Sequence, residues 1–255
     1  MKHLILLIAI AFAADVSGQK KVASVEISNN VAYAAVDRPG DLYVIMTNGD
    51  ALKFDKSGKQ IGRKKFNSIP TIFDPKDGTR AFAYFRDTQS IESIAPDLSF
   101  GDVAPIHPEF AVSAWLVCPS KNELWIFDAA DFSLKKTKEK GLAIAYESSF
   151  LKETDIKNIT YMREYLNFLF VLDKGIHILN NLGKELRKLD VDVTWFGFLG
   201  EEIYYPSGSS LHLVDLYTTE KREIALPHPA QFAFLTDDRM ILVNDKKIEF
   251  FEFTP

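Results

Sequence analysis

Residues 167–186 read Asn167-Phe-Leu-Phe-Val-Leu-Asp-Lys-Gly-Ile-His-Ile-Leu-Asn-Asn-Leu-Gly-Lys-Glu-Leu186, and this stretch decides how the rest of the chain is read. An apolar run over 168–172 leads into a turn at Lys174-Gly175. A second apolar run follows over 176–179, and Asn181 and Gly183 make the next turn. Gly and Asn reach the positive φ values that tight turns require, so short apolar runs punctuated by them are consecutive antiparallel hairpins.

Working outward, variants of this pattern recur about six times. The third strand of each unit starts at Leu52, Ile91, Phe132, Ile176, Leu211 and Ile248, giving gaps of 39, 41, 44, 35 and 37 residues. That period belongs to four-stranded propeller blades, and no long stretch has the apolar recurrence of a helical repeat. In the first unit, Asn48-Gly49 between two apolar runs is among the strongest hairpin signals. In the second, Pro96 and Pro105 predict an irregular outer edge, because proline cannot donate to a strand ladder. The third unit is predicted to open with an inner strand over 112–118 and the fifth with one over 193–198. The link over 147–157 is the longest between units, and long loops on rigid scaffolds are where binding concentrates.

The last unit is one strand short, while residues 21–28 form a strand-like segment ahead of the first. Pairing that segment outside 248–253 completes the sixth blade and removes exposed edges. The expected architecture is therefore all-β, a six-bladed β-propeller whose ring is closed by the N-terminal strand pairing into the last blade.

Ahead of the repeats, Met1-Lys2-His3 precedes an apolar run over 4–14, followed by small and polar residues up to Gln19. This describes a secretory signal peptide, so residues 1–19 are expected to be removed and residues 20–255 to form a single domain. The expected destination is periplasmic or extracellular. The apolar run is too short to span a bilayer, and no later run has the needed length. Cys118 is the one cysteine, so this exported chain has no internal disulfide and must be held by packing. Cys118 itself, inside an apolar run, reads as an inert core thiol. With 30 basic and 35 acidic side chains and a net charge of −5, the chain lacks the basic stripe of a nucleic-acid-binding protein.

Repeat length and hairpin pattern, with local echoes such as Phe54-Asp55 before Lys56-Ser-Gly58, make the mature chain resemble six-bladed propellers of the broad NHL or TolB-like kind. The resemblance implies a fold and leaves function open. Lactonase and gluconolactonase-like propellers imply one alternative, a metal-dependent hydrolase whose divalent ion sits in the central channel among Glu, Asn and Asp oxygens. The inner strands here begin with Tyr33, Phe73, Val112, Tyr161, Trp195 and Phe234, so channel positions are aromatic and apolar, with Asp37, Asp74 and Arg163 within reach of the rims. Asp and Asn recur between second and third strands (Asn48, Asp50, Asp128, Asp173 and Asn244 among them), which reads as turn chemistry repeated because the turn repeats. There is no Gly-x-Ser-x-Gly nucleophile motif and no phosphate loop, and neither a cofactor nor a metal is expected.

These features describe an exported, non-enzymatic propeller that acts as a protein-binding or scaffold module in a cell-envelope or secretion-associated complex. The expected partner is a protein, with no nucleic acid and no membrane segment after signal removal. The candidate binding surface is His107, Glu109, Phe150, Trp195 and His228. Blade-to-blade links share a face with the 147–157 link, which is what groups these residues.

Overall fold

The hairpins of 167–186 form as read, and the same device is repeated around a ring. The computed structural model describes residues 19–75, 78–121, 123–137, 143–146 and 154–255. The signal segment up to residue 18, and residues 147–153 with Phe150, lie outside the described residues. After β1 (Lys21–Glu26), blade 1 holds β2 (Val31–Val36), β3 (Leu42–Met46), β4 (Asp50–Phe54) and β5 (Gln60–Lys65). Blade 2 holds β6 (Ile72–Asp74), β7 (Ala81–Phe85), β8 (Ser90–Ile94) and β9 (Gly101–Pro105). Blade 3 holds β10 (Ala114–Pro119), β11 (Leu124–Asp128), β12 (Ser133–Thr137) and β13 (Ala143–Tyr146). A 3-10 turn (Ile156–Asn158) leads into blade 4, with β14 (Tyr161–Tyr165), β15 (Phe168–Asp173), β16 (Gly175–Leu179) and β17 (Glu185–Leu189). Blade 5 holds β18 (Gly197–Leu199), β19 (Glu202–Ser207), β20 (Ser210–Asp215) and β21 (Lys221–Ala225), and blade 6 β22 (Phe232–Leu235), β23 (Arg239–Asn244) and β24 (Lys247–Glu252).

Among the described residues there are six four-stranded antiparallel sheets; the last has the order β1-β24-β23-β22. The ring closes as expected, with Ser24 opposite Glu249, Val25 opposite Ile248, and a bulge between Lys21 and Ala23.

Middle strands are mostly buried because a neighbouring blade covers each of their faces, and charged residues among them, such as Lys53 and Glu92, are paired. Every residue of β3 and β16 is buried, whereas outer strands β5 and β17 alternate between part-buried and exposed. The core is thus a succession of layers between blades. Leu42, Val44 and Phe54 meet Ile241, Ile248 and Phe250 between blades 1 and 6. Phe170 and Ile178 meet Phe196 and Val214 between blades 4 and 5. Each such side chain contributes about 1.5–3 kcal/mol by leaving water. Two turns require glycine: a Cβ on Gly49 (φ +85°) would lie 2.8 Å from the Phe66 carbonyl oxygen, and one on Gly175 (φ +135°) 2.6 Å from that of Leu189.

Some expectations need correction. The outer edge of blade 2 is regular, because Pro105 is the last residue of β9 and Pro96 lies in the preceding turn, where a missing N–H breaks no ladder. The inner strand of blade 3 starts at Ala114; Val112 stays in the link, 76% exposed, with its N–H donated to Asp128. Phe132 belongs to a turn, at φ +56°, and β12 starts after it. In blade 5 only Gly197–Leu199 pairs, so Trp195 and Phe196 precede the strand.

Candidate functional site

Alternation along the inner strands turns every second side chain toward the axis of the ring. Tyr33 comes from blade 1 and Tyr161 from blade 4, which face one another across six blades. Their hydroxyls are 3.2 Å apart and their ring centroids 6.3 Å, so the axis is closed at this level. Phe73 and Phe232 stand edge-on to Tyr33, each at 6.4 Å, and Phe196 edge-on to Tyr161 at 5.3 Å. Two residues further along β14, Arg163 Nη2 lies 3.3 Å from Asp74 Oδ1 of blade 2, and its guanidinium is 5.6 Å from the Phe198 ring. Burial works against the charge of Arg163, but the Asp74 carboxylate beside it outweighs burial and keeps the guanidinium protonated. Burial pushes the Tyr33 phenol well up, with Tyr161 adding to it, and pushes the Tyr161 phenol up as well, so both are neutral.

A divalent ion requires several oxygen ligands converging on one point. The axis offers aromatic edges, two neutral phenols and a carboxylate engaged with a guanidinium whose charge repels a cation. This donor set does not fit the ion of a lactonase-like hydrolase. Asp37 does not reach the axis: it accepts from the Gly40 and Asp41 N–H groups and the Tyr43 hydroxyl, as a turn residue does. Among the described residues, no group of three or more His, Cys, Asp or Glu side chains is placed to hold a metal ion, and no helix is long and apolar enough to cross a membrane.

Of the residues proposed as a binding surface, the four that are described do not converge. His107 and Glu109 are exposed in the link between blades 2 and 3, where His107 Nδ1 accepts from the Glu109 N–H at 3.3 Å. His228 lies three blades away, between blades 5 and 6, with Nε2 2.8 Å from Glu249 Oε2. Trp195 is a packing residue: it is 9% exposed, donates its indole N–H to the Gln231 carbonyl at 2.9 Å, and packs on Tyr204 and Phe234.

Links and second-to-third-strand turns do share a face. Thr47 N–H donates to Asn30 O, Ala129 N–H to Ser113 O, and Gln231 N–H to Asn244 Oδ1. Turn chemistry accounts for two of the buried carboxylates there. Asp50 accepts from the Asn48 amide at 2.9 Å and pairs with Arg63 and Lys65. Asp128 accepts from the Val112, Ser113 and Ala130 N–H groups and from Lys135 Nζ at 2.7 Å. Between blades 4 and 5 the same face holds a cleft of about 690 Å³. It is lined by the end of the long link (Lys157, Asn158, Thr160), by the Asp173-Lys174 turn and by the link over 190–194. Sequence reasoning singled out the long link but not the turn facing it.

No protein-family model matches the chain, and no curated protein matches it in sequence. In shape it is similar to virginiamycin B lyase from Staphylococcus aureus, with 10% identity over 88% of this chain and 80% of that one and a TM-score of 0.51. It is also similar to the extracellular domain of a hybrid two-component system from B. thetaiotaomicron, with 11% identity over 86% of this chain and 33% of that one and a TM-score of 0.54. A chain of the mitotic checkpoint complex matches at 9% identity over 99% of this chain and 100% of that one, with a TM-score of 0.56. At such identities the likeness is one of fold alone, and with the six closed blades it shows what this chain is: a six-bladed β-propeller.

Proposed function

We propose that this propeller is an exported, non-enzymatic module that holds a protein partner on its link face, within a cell-envelope or secretion-associated complex. The observation that carries this reading is the closed axis. Tyr33 meets Tyr161 and Arg163 meets Asp74, so the side chains that would surround an axial substrate hold the ring together instead. Recognition is left to the surface, and the link face offers a cleft together with exposed Ile69, Val112 and Phe132. Phe132 keeps a positive φ that a bulky residue adopts at a cost, yet half of it faces solvent. Export is supported by the pattern of residues 1–19.

The test is capture from the native envelope by three tagged proteins: wild type, Val112→Glu/Phe132→Glu on the link face, and Leu182→Glu on the opposite face. One partner in near-stoichiometric amount should be kept by Leu182→Glu and lost by the double variant. Equal capture by both variants, or a wild type that comes down alone, refutes the reading. N-terminal sequencing of the protein from its own host tests export, with a start at residue 19 or 20 expected and a start at Met1 refuting it.

A further inference from the structure

We propose that the cleft between blades 4 and 5 receives a primary ammonium or guanidinium group, supplied by a lysine or arginine side chain of the protein partner. This deepens the reading above and rests on it for the source of the cation. The blades provide an internal comparison. At the same place in blade 3, the end of the second strand, Asp128 has both oxygens engaged by local donors. In blade 6, Asn244 Oδ1 accepts from the Gln231 N–H. Asp173 of blade 4 is the exception. Its side chain is 7% exposed; Oδ2 accepts from Thr154 Oγ1 at 3.1 Å and lies 3.7 Å from His177 Nε2, whereas Oδ1 is buried with no hydrogen-bond partner among the described residues.

Buried acceptors in folded proteins are nearly always bonded, so one left open beside a cleft asks for a donor from outside. A cationic N–H entering from the cleft that Asp173 lines would give this oxygen a strong, charge-assisted bond. The surroundings suit such a group. Asp173, Asp190 and Asp192 set three carboxylates against Lys157 and Lys174, and Asp190 is already 3.4 Å from Lys188. Lys157 and Lys174 are exposed and can swing aside, whereas Asp173 is held. His177 Nδ1, 2.9 Å from Glu185 Oε1, fixes the ring against which Asp173 rests. Val191 and Val193 offer an apolar wall for the methylene stem of a long cationic side chain.

The probes are acetyl-Gly-Lys-Gly-amide, acetyl-Gly-Arg-Gly-amide and the neutral norleucine counterpart, titrated into the mature chain to about 10 mM with backbone amide shifts as readout. The charged peptides should move the Asp173, Lys174 and Val191 amides, and the norleucine peptide should not. Asp173→Asn should weaken binding about tenfold or more. Thr160→Arg, on an exposed wall residue, leaves Asp173 intact and should abolish binding by supplying a tethered guanidinium; it serves as the test if Asp173→Asn fails to fold. Equal binding of the norleucine peptide, undiminished binding by either variant, or no binding of charged peptides by folded wild type overturns the proposal. Peptide binding combined with envelope capture that Asp173→Asn leaves intact overturns the partner as the source. Capture that depends on Val112 and Phe132 without any peptide binding overturns the cation site and leaves the link-face reading standing.

Discussion

Replacing Glu249 with Gln tests how the ring is held shut. Glu249 lies on β24 opposite Ser24 of the N-terminal strand, with its side chain 4% exposed. Three groups gather on it: Lys21 Nζ at 2.5 Å, His228 Nε2 at 2.8 Å and Lys247 Nζ at 2.9 Å. Burial works against its charge, but Lys21 and Lys247 outweigh burial and bring its pKa from the ordinary 4.5 to about 2. At about 1.4 kcal/mol per pH unit, full expression of that difference in stability would be about 3 kcal/mol. Lys21 and Lys247 are 47% and 49% exposed, and solvent screens such pairs. The expected contribution is therefore about 1–2 kcal/mol. Because the folded-state pKa is the lower one, this stability is complete above about pH 4.5, drains as pH falls toward about 2, and is absent below. Urea unfolding of wild type and Glu249→Gln between pH 7 and pH 2 is the assay. The variant should be weaker by about 1–2 kcal/mol at neutral pH, with the gap shrinking in salt and closing near the acid end. A gap that stays constant across this range, or none at neutral pH, refutes an electrostatic account of closure.

Other predictions concern the axis, the thiol and one turn. Asp74→Asn strands the buried Arg163 charge and should cost about 3–5 kcal/mol, while Asp74→Asn/Arg163→Met recovers most of it; equal losses in urea unfolding would refute the pairing. Burial, with Asp74 and Glu164 adding to it, pushes the Cys118 thiol well up, so a thiol reagent at mildly alkaline pH should react only as fast as the protein unfolds. Rapid labelling of the folded protein would contradict that. Leu166 sits at φ +48° and is partly exposed, so Leu166→Asn should stabilise by about 0.5–1 kcal/mol, read as a raised Tm; a lowered Tm would show that Leu166 is held by packing.

The candidate site was less legible than the blades. Asp173 is one of several Asp and Asn residues in hairpin turns, and nothing in its neighbours separates it from Asp128. The difference is one of donors: Asp128 receives the Val112 and Ser113 N–H groups from the incoming link, whereas Asp173, among the described residues, has Thr154 and the more distant His177 on one oxygen and no donor on the other. Trp195 misled in the other direction. The sequence places it at the start of the fifth inner strand and on the binding surface, but it lies ahead of β18 in a link that turns inward and buries the indole against blade 6.

Six blades, the turns between their strands and the unpaired strand at each end follow from the order of residues alone. They rest on local backbone preferences and on continuous apolar runs in strands covered on both faces. Which positions face inward was also legible, since Tyr33, Phe73 and Tyr161 sit where alternation places them. What they meet there was not. Tyr33 and Tyr161 are 128 residues apart, and the contact that closes the axis depends on the diameter of the assembled ring. Only the tertiary structure decided that the axis is filled and that one buried carboxylate oxygen beside the cleft has no hydrogen-bond partner among the described residues, because both are distances between elements remote in sequence.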